Sequence, residues 1–348
     1  MNICFRVDSS TKIGTGHVVR CLTLADELSK NGHNITFICR RLTGHSVHLI
    51  NNKCYASHLL HYREDQENFQ WKIDADETIT ILTETLAPID WLIIDHYEIS
   101  KEWEASLLPY VKKIMVIDDL ANREHVCDMI VDQTFGETGE RYQGLLPSSC
   151  IGLFGLDFAI LRPQFREHRK NSFHINNNLI TIHVFFGGND YKGHTGKFSN
   201  LILKHFPKLF VKAVIGENYL NIDSIHELSK KYGNRFQWKQ NIENMAEYMA
   251  ECDLAIGAAG STTWERACVG LPAAYLSINS NQIKILETLE KRGFCRYFGD
   301  ADTLEENQFI IQTQRFISDK NLTNAMYQKC IQSVDGFGTK RIFESLIS

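Results

Sequence analysis

The sequence predicts an α/β fold of two doubly wound lobes, and three observations predict it. Short apolar runs alternate with stretches whose apolar residues recur at helical spacing, the pattern of parallel strands covered on both faces. The alternation stops at a polar, asparagine-rich segment, Lys170 to Asn178, and then begins again. At 348 residues the chain is too long for one ordinary core and suits two. The expected division is an N-terminal lobe over 1–165 and a C-terminal lobe over 179–348, with a cleft between them.

In the first lobe, Asn2 to Val7 is apolar with β-branched residues and reads as a buried strand. Val18, Cys21, Leu22, Leu24, Ala25 and Leu28 repeat at helical spacing, so a helix covers His17 to Leu28. Asp8 to Gly16 is then a strand-to-helix loop. Asn31-Gly32 ends the helix and Ile35 to Arg40 is the next strand. Cys54 to Leu60 is a weaker strand, and the acidic stretch Glu64 to Glu77 reads as an exposed segment before the next helix. Asp90 to Asp95, Lys113 to Asp118 and Met129 to Asp132 are buried strands. Gly152 to Glu167 reads as a short strand and a turn leading out of the lobe. Ligands of parallel sheets gather at the carboxyl ends of strands. Asp8, Asp95-His96-Tyr97, Asp118-Asp119 and Asp132-Gln133 all fall there.

The second alternation has strands at Leu179 to Phe186, Phe210 to Ile215, Phe236 to Trp238, Cys252 to Ile256 and Leu271 to Ser277. Helices are expected over Thr195 to His205, Ile222 to Tyr232, Glu243 to Ala250, Ser261 to Gly270 and Asn281 to Arg292, with mostly helical sequence after that.

Composition narrows the function. Hydrophobic residues at 43% and charged residues at 23% are those of a globular chain. A formal net charge of −5 argues against nucleic acid as the main partner. No apolar run approaches the roughly 20 residues of a membrane span, so no membrane partner is expected. The N-terminus has no charged region ahead of a long apolar core, so no signal peptide is expected. The ten cysteines never form C-x-x-C and many lie in apolar runs, which suits reduced core thiols of a cytoplasmic protein.

Two glycine-to-helix junctions carry the chemistry. In the first, RVDSSTKIGTGHVVR, Gly14 and Gly16 precede a helix whose N–H groups and dipole suit an anion. His17 at the helix entrance has two readings: a general base, or a histidine that only hydrogen-bonds a neighbouring carboxylate. Asp8 or Asp95 could orient it. Tyr97 can offer a phenol to a sugar, or be a half-buried aromatic. The second junction, IGAAGSTTWERACVGLP, pairs Gly257 and Gly260 with Ser261, Thr262 and Thr263, whose hydroxyls can cap the helix. Glu265, one turn in, can accept from a ribose diol or merely complement the dipole. Asp118-Asp119 resembles a metal pair, but nothing is spaced to complete a site, so no metal and no cofactor are expected.

FRVDSSTKIGTGHVVRCLTLADEL, IDHYEIS, VIDDLANREHVCDMIVDQ, GLDFAILRPQF and GAAGSTTWERACVGLP occur in one order over roughly residues 3 to 282. In this the chain resembles the UDP-sugar hydrolases of pseudaminic acid biosynthesis (the PseG family). The resemblance implies the GT-B fold, two Rossmann-like lobes about a central cleft. It implies metal-independent hydrolysis of UDP-2,4-diacetamido-2,4,6-trideoxy-β-L-altropyranose, with a UDP-sugar and water as the small-molecule partners. It makes His17 the catalytic histidine and Tyr97 the tyrosine of the family's D-H-Y motif, and Asp8 joins them as a candidate catalytic carboxylate on the residue reading above. Gly260, Ser261, Thr262 and Glu265 match its nucleotide-binding segment, and Gly14, Gly16, Arg20, Arg162, Asn281 and Gln282 are further candidates for contact with substrate or UDP. The last 50 or so residues carry no family signature. Two rivals share the fold: a glycosyltransferase using a UDP-sugar donor, and a non-catalytic nucleotide-sugar binding protein.

Overall fold

A computed structural model describes residues 1–61, 69–84, 86, 88–175, 179–217 and 219–348. The chain forms two compact units, residues 1–161 with 337–348, and residues 162–336.

The first unit is a seven-stranded parallel sheet. Its strands are β1 (Asn2–Val7), β2 (Asn34–Arg40), β3 (Ala56–Leu60), β4 (Ile89–Asp95), β5 (Val111–Ile117), β6 (Met129–Asp132) and β7 (Ile151–Phe154), in spatial order β3-β2-β1-β4-β5-β6-β7. Strand order reverses between β1 and β4, and a crevice at such a switch point is where doubly wound sheets bind ligands. Helices α1 (Gly16–Lys30), α2 (Val47–Asn52), α3 (Trp71–Glu84) and α4 (Lys101–Leu107) cover the faces.

Side chains alternate between the two faces along each strand. Ile3, Phe5 and Val7 of β1, Trp91 and Ile93 of β4, and Met115 and Ile117 of β5 share a core with α1. Cys4, Leu92, Ile94, Ile114 and Val116 face the opposite core, with Trp103 of α4. This parity decides where each strand-end carboxylate points. Continued past the strands, Asp95 and Asp119 fall on the α1 face, and Asp8, Asp118 and Asp132 on the other.

The acidic stretch expected to be exposed ahead of a helix runs into that helix: α3 begins at Trp71 and takes in its second half. Asp74 is buried at its start, where it accepts from Arg6 Nη2 at 2.5 Å, Arg40 Nη2 at 2.7 Å and Trp103 Nε1 at 2.9 Å. A buried carboxylate so paired satisfies Arg6, which has no exposure at all on β1. Residues 64–68 of that stretch, and 176–178 of the expected linker, lie outside the described residues.

The second unit begins with α5 (Pro163–Glu167) and builds a six-stranded parallel sheet. In chain order its elements are β8 (Ile180–Phe185), α6 (His194–His205), β9 (Leu209–Ile215), α7 (Ile222–Tyr232), β10 (Phe236–Gln240), α8 (Met245–Ala250), β11 (Leu254–Ala258), α9 (Ser261–Val269), β12 (Ala273–Ser277), α10 (Asn281–Lys291), β13 (Cys295–Asp300), α11 (Glu306–Ser318) and α12 (Lys320–Ser333). The order β10-β9-β8-β11-β12-β13 repeats the reversal, here between β8 and β11. Strand β13 falls where mostly helical sequence was expected; it pairs with β12 through a register shift at Tyr275/Leu276. A Cβ at Gly257 would lie 2.0 Å from the Phe185 carbonyl oxygen and 2.7 Å from Arg266 Nη2, so β8 and β11 reach their spacing only around a glycine.

The final helix, α13 (Gly338–Ile347), departs from the expected domain boundary. It belongs to the first unit, where Ile342 and Leu346 join the α1 core and Trp91 Nε1 donates to the Leu346 carbonyl at 3.2 Å. The C-terminal unit therefore ends at 336, not 348.

Candidate active site

Three side chains converge at the β1/β4 switch point. His17 is the second residue of α1 and Arg20 lies three further on, so both project from one helix face. That face meets Asp95 at the end of β4. His17 Nδ1 lies 2.6 Å from Asp95 Oδ1, and Arg20 donates through Nε to Oδ2 at 2.5 Å and through Nη2 to Oδ1 at 2.6 Å. Burial alone would raise the Asp95 carboxyl, but the Arg20 guanidinium and His17 outweigh it and hold it well below the usual carboxylate range. An ionised Asp95 accepts the Nδ1–H and leaves Nε2 as the basic nitrogen. Among the described residues Nε2 has no hydrogen-bond partner.

His17 lines a pocket of about 210 Å³ with Asp8, Ile13, Asp95, His96, Tyr97 and Glu98. The Tyr97 ring stands edge-on to His17, centroids 4.7 Å apart at 85°. Burial and then Asp119 push the Tyr97 phenol up, keeping it protonated.

Of the two carboxylates that could orient His17, the structure selects Asp95. Asp8 is on the other face, where it accepts from Arg6 Nη1 at 2.6 Å and the Arg40 amide at 2.7 Å. Its remaining neighbour is His96 Nε2, at 3.2 Å from Oδ2. His96 Nδ1 accepts from the Glu98 amide at 3.2 Å, which assigns the proton to Nε2 and uses both nitrogens. His96 thus braces the Tyr97 turn. Arg20, expected to touch substrate, spends its guanidinium on carboxylates.

The first glycine loop is less open than expected. Ser10 Oγ accepts from the amides of Lys12 and Ile13 at 3.2 and 3.0 Å, and the Ser10 carbonyl accepts from Gly14 at 2.9 Å. Gly14 closes this turn with φ +83°. The amides of Lys12, Ile13 and Gly14 are therefore used within the loop, and no side chain caps the first turn of α1.

The aspartate pair is likewise spent. Asp118 accepts from Arg123 Nη1 at 2.7 Å, the Ala121 amide at 2.9 Å and Tyr142 Oη at 2.9 Å. Among the described residues no three His, Cys, Asp or Glu side chains come together as a metal-holding group.

In the second unit the β8/β11 switch point leads into two helix N-termini of opposite character. At α6, Asp190 caps the helix, accepting from the His194 and Thr195 amides at 2.9 and 2.7 Å, so that terminus already carries an anion. At α9 the cap residue is Gly260, and Thr263 Oγ1, not Ser261 or Thr262, accepts from the cap amide at 3.2 Å. Among the described residues the first-turn amides of Ser261 and Thr262 have no partner, which suits this helix start to an anion. Glu265 lies one turn in. Burial raises its carboxyl, and Arg162, 3.5 Å away, partly offsets this. Gln282 does not face outward: it donates to the Ala259 carbonyl at 3.0 Å and accepts from the Ile278 amide at 2.9 Å, bracing the loop. Asn281 is exposed at the start of α10.

Residues 195–335 match the glycosyltransferase family 28 C-terminal domain. This domain holds α9, its open terminus and Glu265. Across more of the chain, 27% of residues over 296 positions are identical to the UDP-2,4-diacetamido-2,4,6-trideoxy-beta-L-altropyranose hydrolase of Campylobacter jejuni, covering 84% of this chain and 98% of that one. An uncharacterized protein of Methanocaldococcus jannaschii is 28% identical over 291 residues, 81% of this chain but only 57% of its own length. The chain thus spans little more than half of that archaeal relative. The crystal structure of Acinetobacter baumannii MurG superposes with a TM-score of 0.69 at 14% identity, covering 99% of each chain. That likeness speaks to fold alone. It agrees with the GT-B-like, two-unit α/β architecture.

Proposed function

We propose that the protein hydrolyses UDP-2,4-diacetamido-2,4,6-trideoxy-β-L-altropyranose to UDP and 2,4-diacetamido-2,4,6-trideoxy-L-altrose, inverting the anomeric carbon, as a step of pseudaminic acid biosynthesis. The observation that carries this reading is the His17–Asp95 pair, with Nε2 left for a small pocket. In the reaction, Nε2 takes a proton from water as the oxygen attacks the anomeric carbon. The carbon–oxygen bond to the diphosphate breaks, and UDP leaves with the electron pair. Attack opposite the leaving group inverts the carbon.

UDP is a good leaving group, so the demand is to stabilise its charge. The open first-turn amides of α9 supply donors for the diphosphate without a metal. Glu265, beside them, takes the ribose hydroxyls, and Tyr97 offers its phenol to the sugar. Asp8 serves by holding His96 and the turn that carries Tyr97. The Campylobacter relative, named for this hydrolysis, supports the substrate. The described cysteines are all free thiols, which fits a reducing cytoplasm.

The family 28 domain favours one other reading, a transferase that moves the sugar from UDP to an acceptor. Incubation with the UDP-sugar and no acceptor separates the two. The hydrolase releases UDP and free sugar one to one, the transferase releases UDP only when an acceptor is added, and a pure binder releases none.

A further inference from the structure

Tyr97 is 40% exposed, so packing alone does not fix its ring against His17. A chain of contacts on the α1 face does. Asp95 grips Arg20 through two hydrogen bonds, at 2.5 and 2.6 Å. The remaining terminal nitrogen, Arg20 Nη1, lies 3.3 Å from Asp119 Oδ2. The same Oδ2 accepts from Tyr97 Oη at 3.2 Å. The Tyr97 ring then returns to His17, edge-on at 4.7 Å. Five side chains from α1, the end of β4 and the end of β5 thus form a closed ring around the candidate base. Asp118 is held by Arg123, Ala121 and Tyr142, which fixes the turn that presents Asp119.

From this ring we infer that Asp119 is a positioning residue, anchored by Arg20, that holds the Tyr97 phenol against His17 on the sugar side of the pocket. The role rests on the hydrolytic reading above. Asp119 touches no reacting atom; it acts through Tyr97. Arg20 and Asp95 do not depend on Asp119 for their own contact, so the effect of losing Asp119 runs through the tyrosine.

Two measurements test this, one of them without substrate. In the NMR spectrum of the full-length protein, the ring protons of His17, assigned by their loss in His17→Ala, sense the Tyr97 ring current. Asp119→Ala, which removes the acceptor of the Tyr97 hydroxyl, should move them most of the way to their positions in Tyr97→Ala. In UDP-release kinetics with the UDP-sugar, Asp119→Ala should lower kcat about tenfold with little change in KM, the loss expected of a misplaced group near the reacting atoms. In a Tyr97→Phe background the same substitution should cost less than about twofold, because the bond it breaks is already gone. Unmoved His17 resonances, an unchanged kcat, or an equal loss in both backgrounds would each overturn the assignment. A wild-type protein that releases no UDP overturns the hydrolytic reading instead, and the resonances still decide the placement of Tyr97.

Discussion

Replacing Asp95 by asparagine tests what the His17 pair does. The carboxylate accepts from His17 Nδ1 and twice from Arg20, and it is almost fully buried. An amide offers one acceptor and one donor. If its oxygen stays on His17, its NH2 faces the guanidinium, and a buried cation loses its partner at a cost of about 3–5 kcal/mol. If its oxygen turns to Arg20, its NH2 meets Nδ1 and forces the proton to Nε2. The second arrangement conflicts less, so the variant should hold His17 in the tautomer that cannot accept from water. The general-base contribution, about 10² to 10⁴ in kcat, is then lost. UDP affinity should be unchanged, since Asp95 is in the first unit and the nucleotide is assigned to the second. Single-turnover UDP release and calorimetric titration with UDP measure the two quantities. His17→Ala should lose kcat to the same degree and is safer for folding, because Asp95 keeps both hydrogen bonds to Arg20 and no buried charge loses its partner. A folded Asp95→Asn or His17→Ala protein within about threefold of wild-type kcat would refute the assignment of the base.

Glu265→Ala should show the opposite profile: about 10- to 150-fold weaker UDP binding, from lost charge-assisted hydrogen bonds of about 1.5–3 kcal/mol, with kcat at saturation little changed. Unaltered affinity by calorimetry would make Glu265 a dipole partner only. Turnover in excess EDTA should equal turnover with added magnesium, and a loss restored specifically by a divalent ion would contradict the helix-terminus account. Asp8 and Asp95 both have depressed carboxyl pKa values, so their pairing stabilises the fold above the unfolded value of about 4 and is lost as pH falls through the folded values. Denaturant unfolding should accordingly weaken below about pH 4, with a shallower slope in Asp95→Asn; identical slopes would remove Asp95 from that linkage. Gly257→Ala should destabilise by about 3 kcal/mol or more, because its Cβ would meet the Phe185 carbonyl. A wild-type midpoint would show that the strands can part.

The strand–helix alternation was legible because it rests on period-2 and period-3.6 patterns that hydropathy reports directly. The first half of helix α3 was not, because its acidic residues are read as solvated, whereas Asp74 is buried on Arg6, Arg40 and Trp103. Pair formation between distant charges leaves no local pattern. Strand β13 was hidden in sequence that reads as helix and is held by β12. The return of α13 to the first unit is a tertiary fact, expressed in Ile342 and Leu346 meeting α1. His17 and the α9 junction were visible as glycine-to-helix boundaries. The choice of Asp95 over Asp8 was not, although a signal existed: Asp95 has the parity of Trp91 and Ile93, and Asp8 that of Cys4 and Arg6. The parity becomes informative only once the face that α1 covers is known. Asp119 lay in plain view beside Asp118, and the same parity separates the two.

Acceptor-free turnover tests the central claim most directly. Purified protein is incubated with UDP-2,4-diacetamido-2,4,6-trideoxy-β-L-altropyranose in buffer alone and followed by proton NMR. The account predicts UDP and the free sugar in equal amounts, the sugar first released as the anomer opposite to that of the donor, and no such release from His17→Ala. Persistence of the intact UDP-sugar until an acceptor is supplied would contradict it.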